Sequence, residues 1–272
     1  MIFFVLFDWA LASSHLTTDS GLVFVQIPKG QFVMGSVSSE PNRDKDERQA
    51  KVELTHDYYL SQTEVTQEVW SLHMKNESRF SAGKHPAESM DWFQAAAFAN
   101  AFSKAEGLEP CYEISDTNVA WPKGYDCKGY RLPTEAEWER AARGGKEGSL
   151  GLGGELQEIA WIYENSEKTT HPVAQKKPNA YELYDMFGNV AEWVWDLHEN
   201  YSKNAVDPQG APQVAEGERV FRIRRGGGYT TGAEWVRPAD RYSLNPENRH
   251  AFLGVRLART ISSPATEQPD SK

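Results

Sequence analysis

Cys111 and Cys127 are the two cysteines of this 272-residue sequence. A thiolate can act as a nucleophile or as a soft metal ligand, so these two positions are the first candidates for chemistry. Neither cysteine belongs to a Cys-x-x-Cys pair or to a spacing typical of zinc sites. The even count permits one disulfide that closes a short loop, and two free buried thiols are the alternative. The sequence alone leaves both open.

Other patterns that carry chemistry are weak. The seven histidines show no His-x-x-x-His spacing, and no Ser-His-Asp arrangement has the context of a nucleophile elbow. Residues 225–228 (RGGG) do not form a phosphate-binding loop, because no Lys-Ser/Thr follows them and no βαβ pattern surrounds them. The glycines are better explained by close backbone packing before a terminal strand.

The clearest predicted element is a helix that begins after Thr134. Glu137 lies three residues on and completes a capping box, while Arg140 falls in the last turn, where a cation suits the helix dipole. Gly144 ends this helix. Two further helices are predicted, one from Thr66 through residue 74 and one over residues 91–106.

Strands are predicted at residues 23–27 and 31–34, around a Pro-Lys-Gly turn, and at residues 58–60. Residues 39–49 (SEPNRDKDERQ) carry dense charge of both signs, which predicts a solvated loop. After residue 145, glycine, asparagine and proline recur among isolated tryptophans. That pattern predicts much irregular backbone, held by aromatic packing and by bound cations.

Composition indicates a folded and acidic protein. Hydrophobic residues make up 39% of the chain and aromatic residues 12%, with nine tryptophans, which is enough for a sizeable core. The net charge of −10 argues against nucleic acid and anionic membranes as main partners. No segment approaches the roughly 20 apolar residues that span a bilayer.

The termini differ from the rest of the chain. Residues 1–20 are predicted to be a leader and linker, because a short apolar run (IFFVLF) precedes an Ala-Leu-Ala motif of signal-peptidase type. No Lys or Arg precedes the run, so this is an atypical or truncated export signal. Export to the periplasm or the medium is expected, with the cytoplasm as the alternative. Residues 21–260 are predicted to form one domain, and residues 261–272 a disordered tail.

Several blocks of the sequence resemble the formylglycine-generating enzyme (sulfatase-modifying factor) family in order and spacing. The blocks are residues 27–36 (IPKGQFVMGS), 62–66 (QTEVT), 129–139 (GYRLPTEAEWE), 178–193 (PNAYELYDMFGNVAEW), 225–229 (RGGGY) and 253–258 (LGVRLA). Together they extend over roughly residues 22–260. The resemblance implies a single α+β domain, C-type-lectin-like in character, with much irregular structure and bound calcium.

Catalytic members of this family use copper and oxygen to oxidise a cysteine of a sulfatase's Cys-x-Pro-x-Arg segment to formylglycine. Two cysteines, five residues apart before the final strand, hold the copper. The resemblance places Ala233 and Pro238 at these positions, and no cysteine follows Cys127. Because Cu(I) prefers thiolate ligands, copper is not the expected cofactor. Substitution by Cys111 and Cys127 is not expected, since they precede the RLPTEAEWE helix; a disulfide is expected there instead.

Calcium is the expected cofactor. By position, the family's calcium loop supplies side-chain ligands from Asp185 and Glu192 and carbonyl ligands from Met186, Gly188 and Val190. Calcium takes six to eight hard oxygen ligands, and a glycine-containing loop can turn several carbonyls inward. A tight turn with two solvated carboxylates is the alternative.

Three functions are compatible with this sequence. The favoured one is a non-catalytic, calcium-stabilised binding or scaffold protein, whose former substrate groove takes a peptide or small ligand. Three arginines around that groove are candidates to bind an acidic group, namely Arg237, Arg241 and Arg249, although structural salt bridges would explain them equally well. The alternatives are cysteine oxidation through unrecognised ligands and a different oxidation of the kind found in secondary metabolism. For the last, His171, His250 and Asp240 are the candidate ligands. The sequence does not indicate the oligomeric state.

Overall fold

The structure is a computed structural model that describes residues 14–116, 118–146, 156–210 and 219–261. The helices are α1 (Gln67–Ser71), α2 (Trp92–Ala105), α3 (Glu135–Ala142) and α4 (Leu156–Ile159). The strands are β1 (His15–Thr17), β2 (Val23–Ile27), β3 (Gly30–Met34), β4 (Ala50–Leu54), β5 (Tyr58–Ser61), β6 (Glu113–Ser115), β7 (Asn118–Ala120), β8 (Ala191–Leu197), β9 (Asn204–Val206), β10 (Arg222–Arg225), β11 (Arg241–Leu244), β12 (Leu253–Gly254) and β13 (Ala258–Thr260). Single 3-10 turns cover Gly124–Asp126 and Ala233–Trp235.

The described strands form four small sheets. Their strand orders are β1-β2-β5-β13, β11-β10-β8-β12, β3-β4-β9 and β6-β7. Short strands in mostly antiparallel order, few helices and long irregular connections make this an α+β fold. The predicted fold class is therefore confirmed.

The helix starts follow from local capping chemistry. Thr134 accepts a hydrogen bond from the backbone N–H of Glu137, whose carboxylate accepts one from the backbone N–H of Thr134, as predicted. Asp91 and Gln94 form the same box at the start of α2. Helix α1 begins after Thr66 as predicted but ends at Ser71, three residues earlier than expected.

The two strands predicted around the Pro-Lys-Gly turn exist but do not pair with each other. Strand β2 lies between β1 and β5, whereas β3 pairs with β4 in another sheet. Arg140 of α3 holds the turn by donating to the carbonyls of Pro28 and Lys29 at 2.9 and 3.1 Å. Strand β1 falls in the predicted linker, so the sheet begins before residue 21. The predicted leader up to residue 13 and residues 262–272 lie outside the described part of the chain.

The core combines large aromatic side chains with small ones. The alanines of α2, Ala95, Ala96 and Ala99, are fully buried, which lets this helix pack closely against its neighbours. Trp92 at its first turn lies 5.4 Å from Trp195 of β8, between ring centroids. Every side chain of β8 is buried, so this strand forms the centre on which the candidate site is built.

The charged segment at residues 39–49 is not simply solvated. Glu47 is fully buried and Glu40 nearly so, because both carboxylates bind Arg237. The prediction of a solvated loop was therefore wrong for these two side chains. Among the described helices, none is long and apolar enough to cross a membrane.

Candidate functional site

The loop before β8 is folded so tightly that several residues adopt left-handed backbone conformations. Asp185, Gly188 and Asn189 have φ values of 53°, 76° and 51°. At Gly188 a Cβ atom would lie 2.2 Å from the carbonyl oxygen of Trp161, so only glycine fits. This tight loop brings the side chain of Asp185 close to the first residues of β8 in the protein interior.

Glu192 of β8 forms a buried ion pair with Arg256. Its two carboxylate oxygens accept hydrogen bonds from Arg256 Nε at 2.8 and 2.7 Å, and Oε2 also accepts one from Trp138 Nε1 at 2.6 Å. All three side chains are buried. A calcium ion bound to Glu192 would have to share these oxygens with a neighbouring cation.

Asp185 differs from Glu192, because only one of its two carboxylate oxygens accepts a hydrogen bond. Oδ2 accepts a hydrogen bond from the backbone N–H of Ala174 at 2.7 Å, whereas the buried Oδ1 has no hydrogen-bond donor among the described residues. Burial raises the pKa of the Asp185 carboxyl to about 6. A cavity of about 30 Å³ lies against this residue, lined also by Met186 and Phe187.

Glu64 is a third buried carboxylate here, and it was not among the site residues predicted from the sequence. It accepts hydrogen bonds from Asn189 Nδ2 at 2.8 Å and from the backbone N–H of Val190 at 3.0 Å. Burial, and then the charges of Asp185 and Glu192, raise its pKa well above the usual range. Glu64 lies in the QTEVT block that carried the family resemblance, which was the available signal.

Three carboxylates therefore surround one buried guanidinium, that of Arg256. A buried carboxylate oxygen without a donor costs free energy unless a proton or a cation compensates it. Asp185 and the carbonyls of its loop are the hard oxygen donors that Ca²⁺ prefers. The cluster is thus compatible with a cation bound at Asp185, while the carboxylate of Glu192 is bound to Arg256.

The positions matched to the copper cysteines lie in the segment between β10 and β11. Ala233 begins an exposed 3-10 turn, whereas Pro238 is buried and its carbonyl accepts a hydrogen bond from Arg225 Nη2 at 2.8 Å. Neither side chain has a donor atom for a metal. One position faces solvent and the other the interior.

Cys111 and Cys127 are joined by a disulfide that closes the chain around the β6-β7 hairpin. The two side chains are 3% and 2% exposed and belong to the aromatic core cluster of α2. Because the sequence contains two cysteines, this bond uses every thiol of the chain.

The three arginines proposed for the ligand groove are used in ion pairs. Arg237 binds Glu40 at 3.0 Å and Glu47 at 2.6 Å, and Arg241 binds Glu135 at 2.6 Å. Both guanidinium groups are buried. The half-exposed Arg249 pairs with Glu77 and donates to the carbonyl of Ser89. All three arginines therefore form salt bridges in the structure, as expected from the alternative to ligand binding.

The candidate ligands for a different oxidation, His171, His250 and Asp240, each contact other side chains. His171 stacks on Trp161 with 3.8 Å between ring centroids, and His250 stacks on Phe252 at 4.8 Å. Within the described residues, one group of three ligand-type side chains has all its ligand atoms within 4.8 Å of one another, namely Asp44, Glu47 and Asp240. Arg237 lies among these carboxylates and compensates their charge.

Two neighbouring segments, the one after α4 and the one between β10 and β11, present aromatic side chains to solvent. Tyr163 is 55% exposed and Trp235 43% exposed. Their backbones run side by side, because the N–H of Tyr163 donates to the carbonyl of Thr231 at 3.0 Å and the N–H of Ala233 to Glu164 at 3.2 Å. We call Tyr163, Thr231, Ala233 and Trp235 the aromatic surface.

Comparison with known proteins gives consistent results. The model of the sulfatase-modifying factor enzyme 1-like domain matches residues 12–261. Chaperone protein LppX of Paenibacillus barcinonensis is 31% identical over 243 residues, which cover 75% of this chain and 80% of that protein. The formylglycine-generating enzyme of Streptomyces coelicolor is 35% identical over 151 residues, 48% of this chain and 46% of the enzyme. The structure of Treponema denticola variable protein 1 superposes with a TM-score of 0.77 at 33% identity, covering 92% of this chain and 99% of that one.

Proposed function

Because the chain belongs to the family of sulfatase-modifying factor enzyme 1-like domains, we propose that it is a member without oxidase activity. In this proposal it binds an extended polypeptide segment and is stabilised by calcium. The observation that carries this proposal is the buried disulfide between Cys111 and Cys127. It leaves the chain without a thiol, and the family's chemistry needs two.

Copper chemistry is disfavoured by the remaining donors as well. Cu(I) is held best by soft sulfur ligands, and the positions matched to the family cysteines carry Ala233 and Pro238. The carboxylates near this segment are hard ligands that are paired with Arg237 and Arg241. The proposal therefore treats the segment as a surface and not as a metal centre.

A polypeptide is the proposed ligand for two reasons. The aromatic surface offers exposed Tyr163 and Trp235 side chains on neighbouring backbone segments, and such rings provide contact area at low conformational-entropy cost. The relative from Paenibacillus barcinonensis, of which the match covers 80%, is by name a chaperone protein.

Calcium is proposed to bind at Asp185, with the carbonyls of Met186, Gly188 and Val190 as further ligands. The free Oδ1 atom of Asp185 and the excess of carboxylates over Arg256 support this assignment. The ion would supply positive charge that the cluster lacks, and would fix the loop that leads into β8. Glu192 contributes through its charge while it remains bound to Arg256.

The binding proposal can be tested with a permanently unfolded polypeptide, such as reduced and carboxamidomethylated lactalbumin carrying a fluorophore. Fluorescence anisotropy should rise on titration with the protein, and Trp235→Ala should weaken this binding by about tenfold. Leu72→Ala is the matched control, because Leu72 is 63% exposed but lies at the end of α1. Equal affinities of the wild type and Trp235→Ala would contradict the proposed surface.

A further inference from the structure

A second cavity lies where the sheet β3-β4-β9 faces the first turn of α3 and the end of β8. Its volume is about 400 Å³, within the range of small-ligand pockets. Val52, Ala136 and Leu197 provide apolar walls, and Asp196 and Glu199 line it with carboxylates. No residue of the aromatic surface lines it, so this site is separate from the proposed polypeptide-binding surface.

Asp196 is the group of interest, because it is 7% exposed and forms no ion pair with any described residue, although the charges of Arg241 and Arg222 act on it at longer range. Oδ2 accepts a hydrogen bond from the backbone N–H of Glu135 at 2.7 Å. Oδ1 accepts none from the described residues and lies 3.1 Å from the point where a Cβ atom of Gly210 would stand.

The neighbouring carboxylate shows the contrast. Glu135 also lines the cavity, but Arg241 binds it through Nε at 2.8 Å and Nη2 at 2.6 Å, and the hydroxyl of Tyr201 donates to it at 3.2 Å. Glu135 and Arg241 therefore compensate each other. Asp196, and the exposed Glu199 at the rim, are the carboxylates of the cavity lining that form no ion pair with the described residues.

We propose that this cavity binds a primary ammonium group on an apolar chain, with the ammonium against Asp196. A buried carboxylate is stabilised best by a cation that also donates hydrogen bonds, which a primary ammonium group does with three N–H donors. The apolar walls suit the methylene groups behind it. The same chemistry occurs in a free alkylamine and in a lysine side chain.

Ionisation of Asp196 makes this binding depend on pH. Burial, and then the charge of Glu135, raise the pKa of the Asp196 carboxyl to about 7. The charged or titratable groups around Asp196 in this cavity and behind it are Glu135 of α3, Glu199 and Tyr201 after β8, Arg222 of β10, Arg241 of β11 and Tyr125. An alkylamine, with a pKa of about 10, stays protonated while Asp196 loses its proton. Its affinity should therefore rise between about pH 6 and pH 8.

The test compares three probes by calorimetric or NMR titration of the full chain at millimolar concentrations. Hexylamine presents a free amine, Nα-acetyl-lysine amide presents a lysine side chain, and hexanol lacks the charge. Saturable binding of either ammonium compound, with hexanol at least about tenfold weaker, supports the proposal. Which of the two binds better identifies the source of the ammonium group. No saturable binding of either, or equal binding of hexanol, would overturn it.

Asp196→Asn locates the site, because an amide oxygen can still accept the N–H of Glu135 while the charge is lost. This variant should bind about tenfold more weakly, whereas Glu113→Gln, in the exposed β6 strand, should bind as the wild type does. Unchanged affinity in Asp196→Asn would overturn the assignment. If that variant does not fold, the pH profile of the wild type decides, since a site elsewhere would show no rise in hexylamine affinity relative to hexanol.

Discussion

Arg256 donates from Nε to both carboxylate oxygens of Glu192, at 2.8 and 2.7 Å, in the interior of the protein. This pair distinguishes Glu192 from Asp185, although both were predicted from the sequence as side-chain ligands of calcium. Glu192 forms an ion pair with Arg256, whereas Asp185 forms no ion pair with the described residues and feels the charges of Arg256 and Lys176 only at longer range. Removing Glu192 would leave Arg256 buried and unpaired, which is strongly destabilising whether or not an ion binds. Asp185 is therefore the residue with which to test calcium.

A chelator should lower the melting temperature by several degrees, because an ion at a hundredfold its dissociation constant stabilises a protein by about 2.7 kcal/mol. Asp185→Asn should remove this response to the chelator. Asp19→Asn, which changes an exposed carboxylate far from the loop in sequence, should keep it. Differential scanning calorimetry with and without EGTA measures both. A wild-type melt that does not change with EGTA would rule out calcium.

The disulfide predicts that no thiol reacts in the intact protein. Iodoacetamide added to the denatured, unreduced chain should label neither Cys111 nor Cys127, and non-reducing digestion should yield one peptide that joins them. After reduction, both should be labelled. Since the bond closes a loop with a sequence separation of 16, reduction should cost about 3 kcal/mol of folding stability. Two separately labelled cysteines before reduction would contradict the pairing.

The buried pair between Arg131 and Glu137 should dominate the stability of the α3 region. Arg131 donates to both oxygens of Glu137 at 2.6 and 2.7 Å, and neither side chain is exposed. Glu137→Gln would leave Arg131 buried without its counter-charge and should cost about 3–5 kcal/mol in urea unfolding. The exposed pair of Lys177 with Glu158 provides the control, for which Glu158→Gln should cost less than about 1 kcal/mol. Similar losses in the two variants would refute this distinction.

The same pair predicts how stability responds to acid. Burial raises the pKa of Glu137, but the charge of Arg131 and the hydrogen bonds from His56 and Arg131 outweigh it and lower the pKa from 4.5 to about 2. A lowered carboxyl pKa stabilises the folded state above the unfolded pKa, and the contribution disappears as pH falls through the folded value. Between about pH 4.5 and pH 2, the wild type should therefore lose more unfolding free energy than Glu137→Gln does. Parallel curves for the two proteins would contradict it.

Local chemistry was the part of the fold that sequence reasoning could predict. A helix start is signalled by a capping residue and the three residues after it, as at Thr134 with Glu137 and at Asp91. The structure has helices α3 and α2 at these positions. The family assignment rested on ordered blocks with enough specific residues to be confirmed by the matched domain.

Contacts between distant segments could not be predicted in the same way. Strand β8 is buried along its whole length, so it has no alternation of polar and apolar residues to reveal it. Glu47 and Arg237 are 190 residues apart, and nothing local indicates that one neutralises the other. The pairing of Glu192 with Arg256 and the unpaired state of Asp185 likewise depend on tertiary structure.

The measurement that decides between binding protein and oxidase is a direct search for formylglycine. The purified protein is incubated with Cu(I), oxygen and a Cys-x-Pro-x-Arg peptide, and the peptide is analysed by mass spectrometry for conversion of its cysteine to the aldehyde. We expect no aldehyde, while an active formylglycine-generating enzyme assayed in parallel produces it. Aldehyde formed by this chain would contradict the proposal, because copper would then be held by something other than a pair of thiolates at positions 233 and 238.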